Sequence, residues 1–401
     1  MSNKPSKSTK TPKVTTKKTA KYSKLRVKQT KRNRNARVTK WSARVLAVLV
    51  AISYVLGIGA LFNTGIVPAR YLMLLIPIGL VVVILVVWAL LRTHKLATPR
   101  PRWRAIGLGA LSVCIVLASG YVYSVSRTTS QFISSLENTS QASTGTVITK
   151  PYIVYISGID TYGDVSTVSR SDVNIIAVVN PTTKKVLLVN TPRDYYVQLH
   201  GTTGVRDKLT HAGIYGVDMS KNTLQDLYGT PIDYTLRINF TSLLKVVDAV
   251  GGVDVISDQA FKAGGYSFVQ GVNTLNSKQA LAFARERHSF SDGDRQRGKD
   301  QQRVIEALIA KLSQPSVLVN YQQILASLNG TFQTNASSSE VTGIIRQQLD
   351  SIGGWTTESI SVDGTGATNI TYSTGKQPLY VMEPDVATVN AAKAKIQAYL
   401  Q

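Results

Sequence analysis

The sequence predicts a three-layer α/β/α domain with a mixed central sheet, preceded by three transmembrane helices. Three observations lead to this prediction. Uncharged apolar runs occupy much of the first third of the 401-residue chain. Later, short runs rich in β-branched residues, which are typical of buried strands, are interspersed with segments of helical periodicity. Strands and helices mixed in this way form a sheet that is covered by helices on both faces.

Residues 1–44 have the composition of a disordered tail. They contain 16 Lys or Arg residues, no Asp or Glu, and only two aromatic residues, Tyr22 and Trp41. So little apolar surface cannot offset the entropy that the chain loses on ordering. We therefore expect a disordered basic tail, which anionic membrane lipids attract when it lies at their surface.

Three apolar segments follow the tail, at residues 45–62, 71–91 and 106–125. Each runs 18 to 21 residues without a charge, and a helix needs roughly 20 such residues to cross the hydrocarbon. A cleaved signal peptide is the alternative, but it has one short apolar core and does not explain three segments. We therefore assign residues 45–126 to a three-span membrane anchor.

The basic residues of the loops predict the orientation. The tail and residues 92–104 are rich in Arg and Lys, whereas residues 63–70 hold one Arg. The positive-inside rule then places the tail and the second loop in the cytoplasm. Three crossings leave residues 150–401 outside the cell, after a Ser/Thr-rich linker at residues 127–149. We expect a multi-pass protein of the cell membrane with an extracellular C-terminal domain.

Charge and cysteine content exclude several classes of function. The whole net charge of +23 lies in residues 1–136, and residues 137–401 hold equal numbers of acidic and basic side chains. A neutral domain lacks the attraction that a nucleic-acid binder needs, so no specific nucleic-acid partner is expected. Residues 1–44 show no helix-turn-helix pattern, which disfavours a transcription regulator. Cys114 is the only cysteine, so no disulfide framework or Cys zinc site is expected.

The external domain shows alternating strand and helix patterns. Strands are predicted at residues 152–159, 173–180, 185–191, 234–239 and 357–362. The turn at residues 180–185 predicts a hairpin between the second and third strands. Helices are predicted at residues 218–228, 241–250, 276–287, 297–313 and 385–399. Residues 313–401 are less informative apart from the helix at their end, and we attach them to the same domain.

Charged side chains cluster just beyond the ends of the predicted strands, where ligands gather in α/β domains. Carboxylates and cations alternate in this set, which comprises Asp160, Arg170, Asp172, Arg193, Asp194 and Lys208. Carboxylates can hold a metal ion while cations neutralise phosphate oxygens. The set therefore suits a magnesium-bound pyrophosphate, although each residue taken singly is ordinary for a loop.

Residues 284–302 concentrate further arginines, which indicate either a solvated helix face or a site for a phosphorylated ligand. Arg285 and Arg287 would diverge by ~200° on a continuous helix. Both can face one ligand only if the helix ends there, and residues 288–294 supply a loop. Asp294 is the expected N-cap of the next helix, on which Arg297 and Gln301 share a face.

Six segments carry a resemblance to a known family. They are "GID" ending at Asp160, "RSDVNIIAVVNPTTKKVLLVNTPRD" from Arg170, "DKLTHAGIYG" from Asp207, and the segments at residues 231–255, 271–287 and 294–305. In order and spacing they resemble the LytR-CpsA-Psr family, membrane-anchored transferases of Gram-positive cell walls, over residues 152–312. The three-span anchor resembles the streptococcal capsule-type branch of that family.

The resemblance implies a phosphotransferase. The substrate is a polyprenyl-pyrophosphate-linked glycopolymer of capsular-polysaccharide or teichoic-acid type, the acceptor is a peptidoglycan hydroxyl, and polyprenyl phosphate is released. It implies Mg²⁺ or Mn²⁺ on Asp160 and Asp172. It implies pyrophosphate contacts from Arg170, Arg193, Lys208, Arg285, Arg287, Arg297 and Gln301, with Asp294 paired to these arginines. Of these, Arg193, Arg285 and Arg287 are the expected catalytic groups.

Several points stay open at this stage. Asp194 is a candidate general base, but it could equally brace Arg193. The carrier's prenyl chain needs an apolar groove, which residues 240–250 or 280–283 either line or simply bury in the core. Many family members have a basic residue at the position of Asp300, so we expect a weakened phosphate contact or a salt bridge to Lys299. Arg295 and Lys299 are taken as surface residues.

Two other functions use the same site. A non-catalytic, membrane-anchored protein could bind or sense the lipid-linked wall polymer. A polyprenyl pyrophosphatase would use water in place of the peptidoglycan hydroxyl.

Overall fold

The chain, described by a computed structural model, divides into two compact units. One comprises Met1–Gly59 and Leu72–Tyr123, and the other comprises Ala60–Tyr71 and Ser124–Gln401. The structure describes residues 15–65, 67, 69–92, 102–135, 148–204, 206–291, 293–314, 316–350 and 353–401.

The N-terminal part consists of the helices α1 (Thr15–Thr64), α2 (Ala69–Arg92) and α3 (Arg102–Ser135). Three stretches of them are long and apolar enough to cross a membrane: Lys40–Thr64, Arg70–Arg92 and Ile106–Ser134. They contain the three predicted spans. Most of their large apolar side chains are exposed, as is typical of helices that face lipid.

The ends of this part differ from the prediction. Residues 15–44 are helical rather than disordered, because Lys, Arg and Ala are good helix formers and the segment extends a helix that is already nucleated. Residues 127–135 of the predicted linker belong to α3, where Phe132 is buried with its ring 5.9 Å from that of Phe332. Residues 1–14 and 136–147 lie outside the described residues.

The C-terminal domain contains strands and helices in mixed order. The strands are β1 Tyr152–Ile159, β2 Val173–Asn180, β3 Lys185–Asn190, β4 Tyr196–Val197, β5 Asp207–Lys208, β6 Tyr234–Asn239, β7 Val253–Ser257, β8 Phe261–Ala263, β9 Tyr266–Phe268, β10 Gly271–Leu275, β11 Phe332–Thr334, β12 Thr356–Ser361, β13 Gly364–Ile370 and β14 Pro378–Pro384. The helices are α4 Leu209–Ala212, α5 Val217–Tyr228, α6 Phe240–Ala249, α7 Ser277–Arg285, α8 Gly293–Leu312, α9 Val317–Leu328, α10 Ser338–Asp350 and α11 Val386–Leu400.

Six strands form the central sheet in the order β11-β6-β1-β2-β3-β12. Strand β1 is parallel to β6, and β3 is parallel to β12, whereas β2 runs antiparallel to both of its neighbours. The sheet is therefore mixed, as predicted. In consequence β1, β3, β6 and β12 all end at the edge where β2 begins.

Helices cover both faces of this sheet. Leu187 and Val189 of β3 pack on one side with Leu224 of α5 and Ile396 of α11. Their neighbours Val186 and Leu188 point to the other side, against Ile305 and Ile309 of α8. This alternation is the two-residue period of a strand buried on both faces, and it produces the predicted three layers.

The predicted elements are all present. Strands β1, β2 and β6 have the predicted bounds, β3 and β12 differ by one residue, and β2 and β3 form the predicted hairpin. The helices near residues 218–228, 241–250, 276–287, 297–313 and 385–399 correspond to α5, α6, α7, α8 and α11. The helices α9 and α10 and the hairpins β7–β10 and β13–β14 were not predicted.

Candidate active site

The site lies at the sheet edge where four strands end. Asp160 follows β1, Asp172 precedes β2, and Arg193 lies three residues beyond β3. Backbone bonds fix these loops to one another: Asp172 N donates to Gly158 O at 2.8 Å, and Thr210 N donates to Arg193 O at 2.8 Å. The mixed sheet therefore brings side chains that are far apart in sequence to one place.

Arg193 is the centre of the charge network. Its Nη1 donates to Asp172 Oδ1 at 2.8 Å and its Nε donates to Asp294 Oδ2 at 3.0 Å. Asp194 Oδ2 lies 3.6 Å from the same Nε. Burial opposes the charge of Arg193, but the bond to Asp172 and the three carboxylates together raise the pKa of Arg193 above its usual value.

The opposite side of the site comes from the junction of α7 and α8. Helix α7 ends at Arg285 and the backbone is extended at Glu286, so Arg287 does not continue the helical spiral. Both Arg285 and Arg287 line the same cavity as Asp172. The helix therefore ends two residues before the predicted end at Arg287, and both arginines face one cavity.

Asp294 connects the arginines to one another. Its carboxylate lies 3.1 Å from Arg297 Nη2, 3.8 Å from Arg287 Nη1 and 3.0 Å from Arg193 Nε. Burial alone would raise the pKa of Asp294, but Arg297 and Arg193 hold it below its usual value. Asp294 is the second residue of α8, not the predicted N-cap, because the helix already begins at Gly293.

A cavity of about 360 Å³ opens beside this network. One wall is polar, with Asp160, Asp172 and the arginines 193, 285, 287 and 297. The remaining walls are largely apolar and include Ile159, Val173, Ile238, Phe240, Leu243, Leu281, Val304 and Ile305. A ligand that fills this space has a charged group joined to an apolar one.

Phe240 and Leu243 from residues 240–250 and Leu281 from residues 280–283 line this cavity. Their neighbours Val247 and Phe283 are fully buried in a hydrophobic core. Each segment therefore serves both purposes that the sequence left open. Phe240 also lies beneath Arg285, whose Cζ is 4.3 Å from the ring centroid, as in a cation–π contact.

A second, smaller cavity of about 30 Å³ lies next to the first. The two share Asp172, Arg193, Arg297 and Gln301 as lining residues. The smaller cavity is also lined by Asn190, Thr191, Asp194, Asp294, Arg295, Tyr380 and Met382. The charge network around Arg193 therefore borders two spaces, a large one toward β1 and β6 and a small one toward β3 and β14.

The remaining predicted site residues differ in their placement. Lys208 Nζ donates to Asp194 Oδ1 at 2.9 Å, so it contacts Arg193 indirectly. Gln301 lines both cavities and donates from Nε2 to Ala284 O at 3.4 Å. Arg170 is exposed, and it lines neither of these two cavities.

Asp300 differs from both sequence-based expectations. Its Oδ1 accepts from Gln296 at 3.0 Å and from Arg303 at 2.9 Å, not from Lys299, and the side chain is fully buried. The reason is helical geometry, since Arg303 lies one turn further along α8 while Lys299 points elsewhere. Burial raises the pKa of Asp300 to about 6. Asp300 thus lies on the buried side of α8, where it stabilises the helix, and it does not face a phosphate.

Arg295 also has a partner, although it was taken as a surface residue. Its Nη2 lies 2.8 Å from Asp363 Oδ1 and donates to Gly364 O at 2.7 Å. Asp363, which holds Arg295 at the small cavity, is a residue that the sequence did not indicate. It lies two residues beyond the end of β12, so the strand-end rule used for Asp160 could have found it.

The carboxylates of the site could supply some, but not all, of the oxygen ligands that a divalent cation such as Mg²⁺ needs. Asp160 and Asp172 line one cavity, and Mg²⁺ is commonly bound by one or two carboxylates together with water and substrate phosphate oxygens. Among the described residues, no group of three or more His, Cys, Asp or Glu side chains is placed to hold a metal. The two carboxylates therefore fit Mg²⁺ that shares its coordination with a phosphate.

The chain is similar in sequence to proteins named as teichoic acid transferases. The chain is 37% identical over 191 residues to the polyisoprenyl-teichoic acid–peptidoglycan teichoic acid transferase TagU of Enterococcus faecalis, covering 47% of this chain and 62% of that protein. It is 31% identical over 267 residues to TagU of Bacillus cereus strain AH820, covering 65% of this chain and 86% of that protein.

Solved structures share the fold of the C-terminal domain. The crystal structure of B. subtilis TagV matches with a TM-score of 0.54 and 27% identity, over 63% of this chain and 98% of that one. TagT bound to LIIa-WTA matches with a TM-score of 0.50 and 26% identity, over 63% and 91%. The model of the LytR_cpsA_psr family matches residues 119–388. This chain belongs to the LytR_cpsA_psr family.

Proposed function

We propose that this chain transfers a glycopolymer of the teichoic-acid type from a polyprenyl-pyrophosphate carrier to peptidoglycan. The observation that carries the proposal is the cavity of about 360 Å³, in which arginines and carboxylates lie beside an apolar wall. A prenyl pyrophosphate has the same division into a charged group and a hydrocarbon chain. The names of the TagU relatives and the TagT complex with LIIa-WTA support this class of substrate.

In this mechanism the arginines stabilise charge on the pyrophosphate. The acceptor hydroxyl oxygen attacks the phosphorus that carries the glycan, and the bond from that phosphorus to the bridging oxygen breaks. The electron pair leaves with polyprenyl phosphate, and the hydroxyl proton passes to a carboxylate. Arg193, Arg285, Arg287 and Arg297 surround the charged end of the cavity and neutralise the oxygens that gain charge.

Asp194 is the proposed proton acceptor. Its Oδ1 is held by Lys208 at 2.9 Å, while its Oδ2 is 3.6 Å from Arg193 Nε and thus beyond hydrogen-bonding distance. That oxygen can accept a proton from a hydroxyl in the small cavity, which Asp194 lines. Asp160 and Asp172 would hold Mg²⁺ or Mn²⁺, which would neutralise part of the pyrophosphate charge.

The proposal also includes an orientation of the chain in the membrane. We place residues 15–44 in the cytoplasm and the C-terminal domain on the outer face of a Gram-positive membrane, following the distribution of basic residues. A carrier lipid in the outer leaflet and the C-terminal domain then lie on the same side of the membrane.

A transfer assay with the full chain in nanodiscs tests this function. The substrates are a synthetic prenyl-pyrophosphate glycan and peptidoglycan oligomers, with or without Mg²⁺, and Asp172→Ala is the comparison. We expect attachment of glycan to peptidoglycan that falls by at least 10²-fold in Asp172→Ala, the scale of removing one charge-stabilising group. Asp258→Ala, which alters an exposed carboxylate outside both cavities, serves as the control.

Other outcomes contradict the proposal in distinct ways. Tight donor binding without turnover supports a non-catalytic binder. Release of glycan phosphate to water, with no attachment to peptidoglycan, supports a pyrophosphatase.

A further inference from the structure

The hairpin β13–β14 carries exposed aromatic and apolar side chains next to the small cavity. Tyr380 lines that cavity and is nevertheless 53% exposed. Its ring lies across β13 at Gly366, where an added Cβ would be 3.0 Å from the ring, so the small size of glycine favours this placement. Lys208 Nζ is 5.8 Å from the ring centroid. One side of the ring thus borders the charge network and the other faces solvent.

The exposed surface continues from Tyr380 along the hairpin. Tyr380 pairs with Thr368, and Ile370, two residues further along β13, lies on the same face and is also exposed. Ile370 contributes to an open groove of about 540 Å³, which is also lined by Tyr196, Gly204, Arg206 and Asn369. Ile370 of the groove is therefore only two residues along β13 from Thr368, the partner of the cavity residue Tyr380.

A second pair of aromatic residues follows at the end of β13. Tyr372 and Tyr215 are 49% and 47% exposed, and their ring centroids lie 6.3 Å apart. Backbone bonds fix Tyr372 to the groove, since its N donates to Arg206 O at 2.9 Å. Tyr372 is four positions beyond Thr368, the partner of Tyr380, so the Cα atoms of Thr368 and Tyr372 are at most about 14 Å apart.

Such a surface fits a sugar chain better than it fits a protein or a lipid. Exposed tyrosines offer flat apolar faces for the C–H faces of pyranose rings, and their hydroxyls remain available for hydrogen bonds. Arg206, Asn369 and Lys208 supply polar and cationic groups along the same path. Each of them has one acidic neighbour in the domain, Asp194 for Lys208 and Glu383 for Arg206 and Asn369, and a purely apolar partner would remove water from their remaining donors.

The chemistry of the site indicates which sugar chain binds there. In phosphoryl transfer the attacking and leaving oxygens lie roughly in line with the phosphorus. If the prenyl phosphate leaves through the large apolar cavity, the attacking hydroxyl approaches from the other side of Arg193. That side is the small cavity, which Tyr380 lines.

From these observations we propose that the hairpin β13–β14, with Tyr196, Arg206, Tyr215 and Tyr372 beside it, binds the glycan strand of peptidoglycan as the acceptor. Tyr380 stacks on the sugar nearest to the reacting hydroxyl, and the groove and the Tyr372–Tyr215 pair hold the sugars that follow. This inference rests on the proposed function for the identity of the acceptor.

Equilibrium binding tests the acceptor surface separately from catalysis. The full chain in nanodiscs is titrated with a tetrasaccharide of alternating N-acetylglucosamine and N-acetylmuramic acid, and separately with geranylgeranyl pyrophosphate. In Tyr380→Ala and Tyr372→Ala we expect the dissociation constant for the tetrasaccharide to rise at least tenfold relative to that for the prenyl pyrophosphate. Tyr380→Phe, which keeps the ring, should remain within about threefold of the unmodified chain.

The control is Ile256→Ala, which shortens an equally exposed apolar side chain on the β7–β10 hairpin and should bind the tetrasaccharide normally. Four results overturn the acceptor surface: no saturable tetrasaccharide binding by the unmodified chain, equal affinities in Tyr380→Ala and Ile256→Ala, equal loss of both ligands, or weaker binding only of a glycan-bearing donor. The two proposals can also fail separately. If the tyrosine variants lose tetrasaccharide binding but the unmodified chain transfers no glycan, the acceptor surface is supported and the proposed function is rejected. Transfer with an unchanged acceptor KM in Tyr380→Ala rejects the surface alone.

Discussion

Arg193 is contacted by three carboxylates, Asp172, Asp194 and Asp294, and borders both cavities. Its planar group uses Nε and Nη1 in two different directions. A lysine has a single charged nitrogen and cannot reproduce this arrangement.

We therefore expect Arg193→Lys to lower kcat/KM for glycan transfer by on the order of 10²–10³, the scale of losing one group that stabilises developing charge. Steady-state kinetics measure this directly. Arg303→Lys, which alters an arginine paired with Asp258 and Asp300 outside both cavities, is the matched control. Equal effects of the two variants would show that Arg193 acts only through stability.

A substitution can distinguish the two roles that are open for Asp194, general base or positioning residue for Arg193. Asp194→Asn keeps an oxygen that can accept from Lys208 but removes the proton acceptor. If Asp194 is the base, kcat falls by about 10²–10⁴ while KM changes little. A variant that keeps most of its kcat and shows mainly a change in KM would instead show that Asp194 only holds Arg193 and Lys208 in position.

Asp300 gives a prediction for stability. Burial raises the pKa of Asp300 to about 6 in the folded chain, above the unfolded value near 3.9. The folded state therefore binds more protons between these values, so the contribution of Asp300 to stability is full below pH ~4 and is lost as the pH rises to about 6.

Asp300→Asn abolishes this titration. Between pH 4 and 7 we expect the free energy of unfolding of the variant to gain on that of the parent by as much as about 3 kcal/mol. Urea unfolding of both proteins across this pH range measures the difference. Parallel stability curves would contradict the assignment.

At the scale of elements, helix α8 fits closely on the end of β3. A Cβ added to Gly298 would lie 2.4 Å from the side-chain nitrogen of Asn190, which is buried. Gly298 is flanked by Arg297 and lies one turn from Gln301, so its close approach to β3 places both of these site residues.

We expect Gly298→Ala to push α8 away from β3, with a loss of stability of about 1–3 kcal/mol and weaker binding of prenyl pyrophosphate. The double variant Gly298→Ala/Asn190→Ala removes the clashing amide and should recover most of the binding, which a double-mutant cycle detects. Additive losses in the two single variants would show that this contact does not position the helix.

The elements also show what the sequence could predict. Strands β1 and β2 are continuous apolar runs between polar loops, and their bounds were predicted to the residue. Strand β13 contains Gly and Thr and is largely exposed, and β14 begins and ends with Pro and buries the adjacent residues Val381 and Met382, so neither strand shows the alternation that distinguishes a strand from a loop. Because Tyr380 belongs to this hairpin, the small cavity could not be foreseen in full.

The site residues also divide into those that local sequence patterns indicate and those that depend on tertiary packing. Local patterns indicated that Asp160, Asp172 and Arg193 lie near strand ends. A helix end close to Arg285 and Arg287 was expected, but α7 ends at Arg285, two residues before the predicted bound. The buried position of Asp300 depends on what packs behind α8, and a single sequence does not show that.

At the scale of the whole molecule, the cations of the site are matched by carboxylates. Arg193, Arg285, Arg287 and Arg297 pair with Asp172, Asp160 and Asp294, and Lys208 pairs with Asp194. Residues 137–401 as a whole hold as many acidic as basic side chains. The field that reaches into solvent beyond the Debye length, about 10 Å at 0.1 M salt, is therefore weak.

This pairing has a kinetic consequence. A soluble anion such as geranyl pyrophosphate gains little attraction until it is already inside the cavity, so its association rate should change less than about threefold between 50 mM and 500 mM salt. Stopped-flow binding in neutral nanodiscs measures this rate, and a chain that lacks residues 1–39 controls for the basic tail. A fall of tenfold or more would show long-range steering. Without such steering the site does not collect free phosphates from the surroundings, and it selects among phosphorylated ligands only once they are inside the cavity.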